Sequence, residues 1–122
     1  MESGSAFVAI VDDDPAVLDS LKFLLEVAGH RVATYATAAS FLDHDGRRPT
    51  CLIIDQHMPE MTGLELAARL RRDDALLPIM LITGSPSPAI LAKAALLGIE
   101  KVLEKPPTEG ELLRFIESHS GK

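Results

Sequence analysis

Acidic residues follow two short apolar runs of the chain, at positions where a buried strand would end. Residues 7–11 lead directly into aspartates at positions 12–14, and residues 51–54 lead into Asp55. Two carboxylates about 4 Å apart repel each other by roughly 4 kcal/mol at an effective dielectric constant near 20. A divalent cation would compensate for this repulsion, because hard cations bind carboxylate oxygens. The simpler alternative is a solvated turn in which Asp14 only caps the next helix.

Five apolar runs alternate with five amphipathic segments, which indicates a parallel sheet with helices on both faces. We therefore predict an α/β protein with a flavodoxin-like, doubly wound (βα)5 fold and a five-stranded parallel sheet of order 2-1-3-4-5. The strands are predicted at residues 7–11, 31–36, 51–55, 79–83 and 101–105. The helices are predicted to begin at or just after Asp14, Thr37, Thr62, Pro88 and Thr108.

The predicted helices carry local start and stop signals. Residues 62–65 and 108–111 match the capping-box pattern, in which the first and fourth side chains satisfy backbone N–H groups. Gly29 and Gly98 are expected to end the first and fourth helices, because glycine tolerates the left-handed backbone that follows many helices.

The carboxyl ends of parallel strands lie along one edge of a sheet, and ligands of such folds bind there. The residues expected at these ends are Asp12, Asp13, Asp55, Thr83 and Lys105. Together they suit phosphoryl transfer. Asp55 can act as a carboxylate nucleophile, while Mg²⁺ held by the three aspartates screens the incoming charge. Lys105 would neutralise a second phosphoryl oxygen, and Thr83 could donate a hydrogen bond to a third.

The chain resembles the receiver domains of two-component response regulators, most closely those of the FixJ type, over residues 6–119. The resemblance rests on several motifs taken together in order: Ile10-Val11-Asp12-Asp13-Asp14, Asp55 with Met58-Pro59 and Thr62-Gly63, Leu81-Ile82-Thr83-Gly84, and Glu104-Lys105-Pro106. Each motif is weak alone, but the full set at matching spacing is highly specific.

This resemblance implies a role for each site residue. Asp55 is expected to accept a phosphoryl group from a histidine kinase or phosphotransfer protein, and the domain to catalyse only its own phosphotransfer and dephosphorylation. Asp12, Asp13 and Asp55, with the backbone carbonyl of His57, are expected to hold Mg²⁺. Thr83 is the expected switch hydroxyl, and Lys105 is expected to contact the phosphoryl group. Pro106 stands where the family has a cis peptide bond.

The chain departs from the family pattern at three places. Val102 replaces the aromatic residue whose rotamer usually reports phosphorylation, so the usual output mechanism is not expected. His57 lies where side chains of this family tune phosphoryl lifetime, and it either orients or excludes the attacking water or is an exposed loop histidine without a role. Pro86 and Pro88 are expected to stiffen the loop after Thr83.

Composition bounds the remaining expectations. A chain of 122 residues with 47% hydrophobic and 25% charged residues suggests one domain, with a flexible tail at residues 1–5, the receiver at 6–119 and a second tail at 120–122. The net charge of -6 argues against nucleic-acid binding by this domain. The single Cys51 suggests a reducing, cytoplasmic setting, and no apolar run is long enough to span a membrane.

Residues on the predicted surface leave the partner open. His30, His44 and His119 show no metal-ligand spacing and are interpreted as surface residues. Residues 89–97 are strongly apolar, which we attribute mainly to the core, although receivers of this family often form homodimers through the fourth helix, fifth strand and fifth helix.

Three other functions compete with a phosphorylated switch. A receiver-like interaction module that never takes phosphate is slightly favoured by Val102, but the intact set of polar residues weighs against it. A Mg²⁺-dependent phosphohydrolase with an aspartyl-phosphate intermediate would need a second acid near Asp55, where only His57 is available. A flavin- or nucleotide-binding module would need a glycine- or hydroxyl-rich loop after the first strand rather than aspartates.

Overall fold

A computed structural model describes residues 6–44 and 46–119 of the chain. Five strands alternate with five helices in the order β1 (Phe7–Val11), α1 (Pro15–Val27), β2 (Arg31–Tyr35), α2 (Ala38–Leu42), β3 (Cys51–Asp55), α3 (Gly63–Arg71), β4 (Ile79–Thr83), α4 (Pro88–Leu96), β5 (Lys101–Glu104) and α5 (Glu109–Glu117). The tails expected at residues 1–5 and 120–122 lie outside the described residues.

The five strands form one parallel sheet of order β2-β1-β3-β4-β5, which confirms the predicted topology. Asp55 at the end of β3 pairs with Ile82 in β4, and Thr83 pairs with Glu104 in β5. The last residues of neighbouring strands are therefore almost level with one another. This register brings side chains that are far apart in sequence to one edge of the sheet.

The three central strands are buried on both faces, which explains their continuous apolar sequences. On one face, alternate residues of the sheet pack against α2, α3 and α4, and these include Ala9, Val11, Leu52, Ile54, Ile79 and Leu81. On the other face, the intervening residues pack against α1 and α5, and these include Val8, Ile10, Ile53, Met80 and Ile82. Free Cys51 lies in this second cluster as a buried hydrophobic residue.

The predicted helix boundaries are confirmed where the caps are local. Asp14 accepts a hydrogen bond from the N–H of Ala16 at 2.9 Å. Residues 62–65 and 108–111 form the expected capping boxes. Gly29 and Gly98 adopt φ angles of 98° and 68° after α1 and α4, a conformation that glycine adopts with little strain.

Two surface predictions are wrong. His30 is buried, and its Nδ1 accepts a hydrogen bond from the N–H of Ala6 at 3.1 Å. The core also explains little of the apolar character of α4, because only Ala94 of that helix is buried among the described residues. Leu91 is 49% exposed and Leu96 is 87% exposed. Within the described part of the chain, no helix is long and apolar enough to cross a membrane.

Arg71 joins the end of α3 to the end of α4. Its Nε donates to the carbonyl oxygen of Leu97 at 2.6 Å, and a terminal guanidinium nitrogen donates to that of Gly98 at 3.1 Å. Its other terminal nitrogen donates to the carbonyl of Asp74 at 3.0 Å. The last carbonyl groups of a helix have no donor inside the helix and carry a partial negative charge, so a guanidinium group is well suited to this position.

Replacing Arg71 by alanine should loosen the C-terminal end of α4. We expect Arg71→Ala to lower the free energy of unfolding by about 1–2 kcal/mol, because three carbonyl groups lose a charged donor. Amide hydrogen exchange in α4 should increase more than exchange in α1. Arg72→Ala is the matched control, since the neighbouring Arg72 is exposed and is the C-cap residue of α3. Equal destabilisation by the two variants would contradict this role of Arg71.

Candidate functional site

The polar residues predicted for the site converge at the carboxyl edge of the sheet. One ligand atom from each of Asp12, Asp13 and Asp55 lies within 4.8 Å of the others. Nζ of Lys105 lies 3.0 Å from Oδ1 of Asp55 and 3.9 Å from Oδ2 of Asp12. The backbone N–H of Lys105 donates to the carbonyl of Thr83 at 2.9 Å, which joins the ends of β4 and β5.

Asp55 is the buried centre of this arrangement. Its side chain is fully enclosed, and within residues 6–44 and 46–119 neither carboxylate oxygen accepts a hydrogen bond. Nζ of Lys105 lies 3.0 Å from Oδ1, so the ammonium group and the carboxylate form an ion pair. A buried carboxylate without donors is unfavourable. Asp55 therefore has two oxygens available to bind a cation or to attack an electrophile.

Burial and the neighbouring carboxylates also change the pKa of Asp12. Burial raises the pKa of its carboxyl group from 3.8 to about 6, and the nearby charges of Asp55 and Asp13 act in the same direction. The backbone N–H of Asp14, which donates to Oδ1 at 2.9 Å, and the ammonium group of Lys105 oppose the shift without cancelling it. Asp12 thus ionises less readily than an ordinary aspartate while the site holds no further cation.

Lys105 supplies a positive charge to the site. Burial by itself would lower the pKa of its ammonium group, but the carboxylates of Asp55, Asp12 and Asp13 reverse this effect and raise it. Three carboxylates still face one ammonium group. The donor set therefore fits Mg²⁺, a hard cation that binds carboxylate oxygens and keeps further positions for water or phosphoryl oxygens. The peptide bond between Lys105 and Pro106 is cis.

The start of α3 is packed against the Asp55 backbone. A Cβ atom added to Gly63 would lie 2.7 Å from the carbonyl oxygen of Asp55 and 2.7 Å from Cδ1 of Leu81. The N–H of Gly63 donates to the carbonyl of Gln56 at 3.1 Å, and the side-chain oxygen of Gln56 accepts from Leu64 at 2.9 Å. Only glycine fits here, so this position determines how closely α3 supports the loop that follows Asp55.

Thr83 is fully buried, and its hydroxyl group is engaged away from Asp55. Oγ1 accepts the N–H of Ser85 at 3.1 Å and shares a hydrogen bond of 3.0 Å with Nε2 of the exposed His57. Sequence reasoning placed both residues at the site but did not anticipate this contact, because no local pattern relates positions 57 and 83. Val102 is half-buried in β5 and packs against the core.

Comparison with known proteins agrees with this geometry. The family model of the response regulator receiver domain matches residues 8–117. The transcriptional regulatory protein FixJ of Bradyrhizobium diazoefficiens is 37% identical over 112 residues, which cover 91% of this chain and 55% of that protein. The response regulator protein TmoT of Ectopseudomonas mendocina is 35% identical over 119 residues, which cover 97% and 54%. The chain spans about half the length of these curated relatives.

Solved structures show the same arrangement of strands and helices. Full-length FixJ from B. japonicum superposes with a TM-score of 0.82 and 34% identity, covering 93% of this chain and 57% of that one. A CheY-like receiver domain protein from Methanospirillum hungatei superposes with a TM-score of 0.85 and 28% identity, covering 92% and 90%. The similarity therefore extends through the whole sheet and its helices.

Removing the Asp12 charge should stabilise the metal-free protein. The folded-state pKa of about 6 lies above the ordinary 3.8, so the folded protein binds more protons than the unfolded chain between these pH values. Stability is consequently lost as pH rises through this window. We expect Asp12→Asn to raise the free energy of unfolding at pH 7 by roughly 1–3 kcal/mol.

Urea denaturation in the presence of a chelator, from pH 7 down to about pH 4, measures this effect. The gain from Asp12→Asn should shrink as pH falls, because the native carboxyl group then becomes protonated as well. Asp19→Asn, on the exposed face of α1, removes the same formal charge outside the site. A gain of equal size from both variants, or one independent of pH, would show that Asp12 is not under electrostatic strain.

Proposed function

The chain belongs to the response regulator receiver family, and we propose that Asp55 is its phosphoacceptor. It is a receiver domain of the kind found in two-component response regulators, a class of signalling proteins. The observation that supports Asp55 most directly is its buried carboxylate, which has no hydrogen-bond donor among the described residues and lies 3.0 Å from Nζ of Lys105. We further propose that the receiver domain occupies residues 6–119.

In the proposed reaction, a carboxylate oxygen of Asp55 attacks the phosphorus atom of a phosphohistidine on a histidine kinase or phosphotransfer protein. The new bond joins that oxygen to phosphorus, the phosphorus–nitrogen bond breaks, and the donor histidine leaves. Lys105 binds one oxygen of the transferred group as a point charge. The hydroxyl group of Thr83 donates a hydrogen bond to another. These charge contacts matter because the transferring group spreads its negative charge over three oxygens.

Asp12, Asp13, Asp55 and the backbone carbonyl of His57 are the groups we propose for holding Mg²⁺. When bound, the ion supplies positive charge that lowers the electrostatic barrier to bringing a phosphoryl group against carboxylates. Asp12 is fully buried and Asp13 is exposed, so one oxygen donor faces the interior and the other faces solvent. His57 directly follows Gln56 in the loop after β3, which is consistent with its carbonyl serving as a further ligand.

The proposed domain turns over no separate substrate and promotes only its own phosphorylation and dephosphorylation. The family match does not favour a phosphohydrolase or a phosphorylation-independent module. A cavity of about 290 Å³ opens beside Asp12 and Lys105 and is otherwise lined mainly by apolar side chains of α1 and the loop after β5. The free, buried Cys51 is consistent with a cytoplasmic location.

Intact-mass measurement after incubation with acetyl phosphate tests the phosphoacceptor. We expect the native chain to gain the mass of one phosphoryl group in the presence of Mg²⁺ and to gain none in the presence of a chelator. Asp55→Asn should gain none under either condition, because an amide is not a competent nucleophile. Asp73→Asn, which changes an exposed aspartate after α3, should behave like the native chain. A Mg²⁺-dependent adduct that persists in Asp55→Asn would refute this assignment.

We also propose that phosphorylation promotes a homodimer through the face formed by α4, β5 and α5. The support for this face is the exposed apolar surface of α4, where Leu91 is 49% exposed. Burial of apolar area stabilises an interface by about 25 cal/mol per Å² before association costs are subtracted. Two copies that meet at this face would remove Leu91 from water.

Leu91→Glu should prevent the phosphorylation-dependent dimer while leaving the mass adduct unchanged, because the substitution introduces a charge into the proposed interface. Sedimentation velocity of the acetyl-phosphate-treated protein measures the association. Leu76→Glu is the matched control, since Leu76 is 85% exposed in the loop after α3 and lies outside this face. Dimers that survive Leu91→Glu, or that are lost equally with Leu76→Glu, would exclude this face as the interface.

A further inference from the structure

We propose that His57 is a positioning residue that holds the Thr83 hydroxyl group until a phosphoryl group at Asp55 takes it over. The proposal rests on the proposed function, since it assigns a competitor for the hydroxyl group that the phosphoryl group must bind. It goes beyond a general influence of residue 57 on phosphoryl lifetime.

The contact follows from the register of two neighbouring strands. Asp55, the last residue of β3, pairs with Ile82 of β4, so the loop after Asp55 passes beside Thr83. Nε2 of His57 lies 3.0 Å from Oγ1 of Thr83, although the residues are 26 positions apart. The bond therefore links the loop after β3, which directly follows the phosphoacceptor Asp55, to β4, the strand that leads into α4.

Two partners together occupy the Thr83 hydroxyl group. The N–H of Ser85 donates to Oγ1 at 3.1 Å, and His57 forms the second hydrogen bond. A hydroxyl group has one proton and two acceptor positions. In one imidazole tautomer the proton of Thr83 is donated to Nε2, and in the other Nε2–H donates to the oxygen. In either case Oγ1 is held by the loop.

The Thr83 hydroxyl group does not form a hydrogen bond with Asp55. Neither oxygen of Asp55 accepts a hydrogen bond from any residue in the described part of the chain. In the tautomer in which Nε2 of His57 accepts the Thr83 proton, a phosphoryl oxygen on Asp55 that accepts the same proton must compete with His57. Because His57 is exposed, its imidazole can bond to water when it is released, so the competition costs only the net value of one hydrogen bond.

Val102 makes this contact more important. The half-buried valine in β5 has no polar group that could bind the Thr83 hydroxyl. Among the described residues, His57 is the one side chain whose polar group bonds to Oγ1. The chain thus restrains the hydroxyl group from the loop after β3, by a hydrogen bond rather than by the packing of an aromatic ring.

The test is the affinity for beryllofluoride, a phosphoryl mimic, in the presence of Mg²⁺, measured by calorimetry. We expect His57→Ala to bind beryllofluoride roughly two- to tenfold more tightly than the native chain, as expected from the net value of one hydrogen bond. His57→Gln should restore much of the native affinity, because an amide can bond to the hydroxyl group. In a Thr83→Val background, His57→Ala should leave the affinity unchanged.

A second measurement needs no ligand. The methyl resonance of Thr83 and its three-bond couplings should report one side-chain rotamer in the native chain and in His57→Gln. They should report rotamer averaging in His57→Ala. His119→Ala is the matched control, since it removes a histidine whose Nε2 lies 2.8 Å from Glu100 at a distant position. This variant should change neither the affinity nor the Thr83 signals.

The outcomes separate this inference from the proposed function. If the native chain neither binds beryllofluoride nor takes phosphate, the proposed function fails, and the Thr83 rotamer measurement still decides whether His57 restrains the hydroxyl group. If the native chain binds but His57→Ala has the same or weaker affinity, the inference is overturned. An increase in affinity that persists in the Thr83→Val background also overturns it, because it would not act through the hydroxyl group.

Discussion

The structure depends on an excess of negative charge at one buried point of the sheet. Asp55 is enclosed by protein without a hydrogen-bond donor in the described chain, beside Asp12 and Asp13 and opposite the single ammonium group of Lys105. Folding tolerates this arrangement because the apolar burial around it is extensive. The same uncompensated charge attracts a divalent cation, and an electrophilic phosphoryl group can then reach the carboxylate. The carboxylates that give the site its chemistry therefore also lower the stability of the folded protein.

The central strands of the sheet hold these charged groups close together. The central strands β1, β3 and β4 are buried on both faces, so the residues at their ends have little freedom to separate. Gly63 lets α3 approach the Asp55 carbonyl more closely than any side chain would permit. The charged groups thus cannot relieve their repulsion by moving apart.

Thr83 connects this centre to the outer surface. Its carbonyl accepts the N–H of Lys105, while its hydroxyl group bonds to Ser85 and His57, so β5, the loop before α4 and the loop after β3 meet at one residue. At the other end of α4, Arg71 binds the final carbonyl groups. A change in the partners of the Thr83 hydroxyl group therefore acts on the loop that leads into α4, a helix that exposes apolar side chains.

Local patterns in the sequence determined the alternation of strands and helices, the capping boxes, the glycine ends of α1 and α4, and the placing of acids, hydroxyl and ammonium at strand ends. These features depend on neighbours within a few residues, so spacing alone predicts them. Only the tertiary structure decided that His57 reaches Thr83, that His30 lies inside, and that α4 is largely uncovered. Each of these depends on which distant element packs alongside. A helix that is apolar on every side, such as α4, carries no moment that identifies its buried face, and residues 57 and 83 meet only because β3 and β4 pair in one particular register.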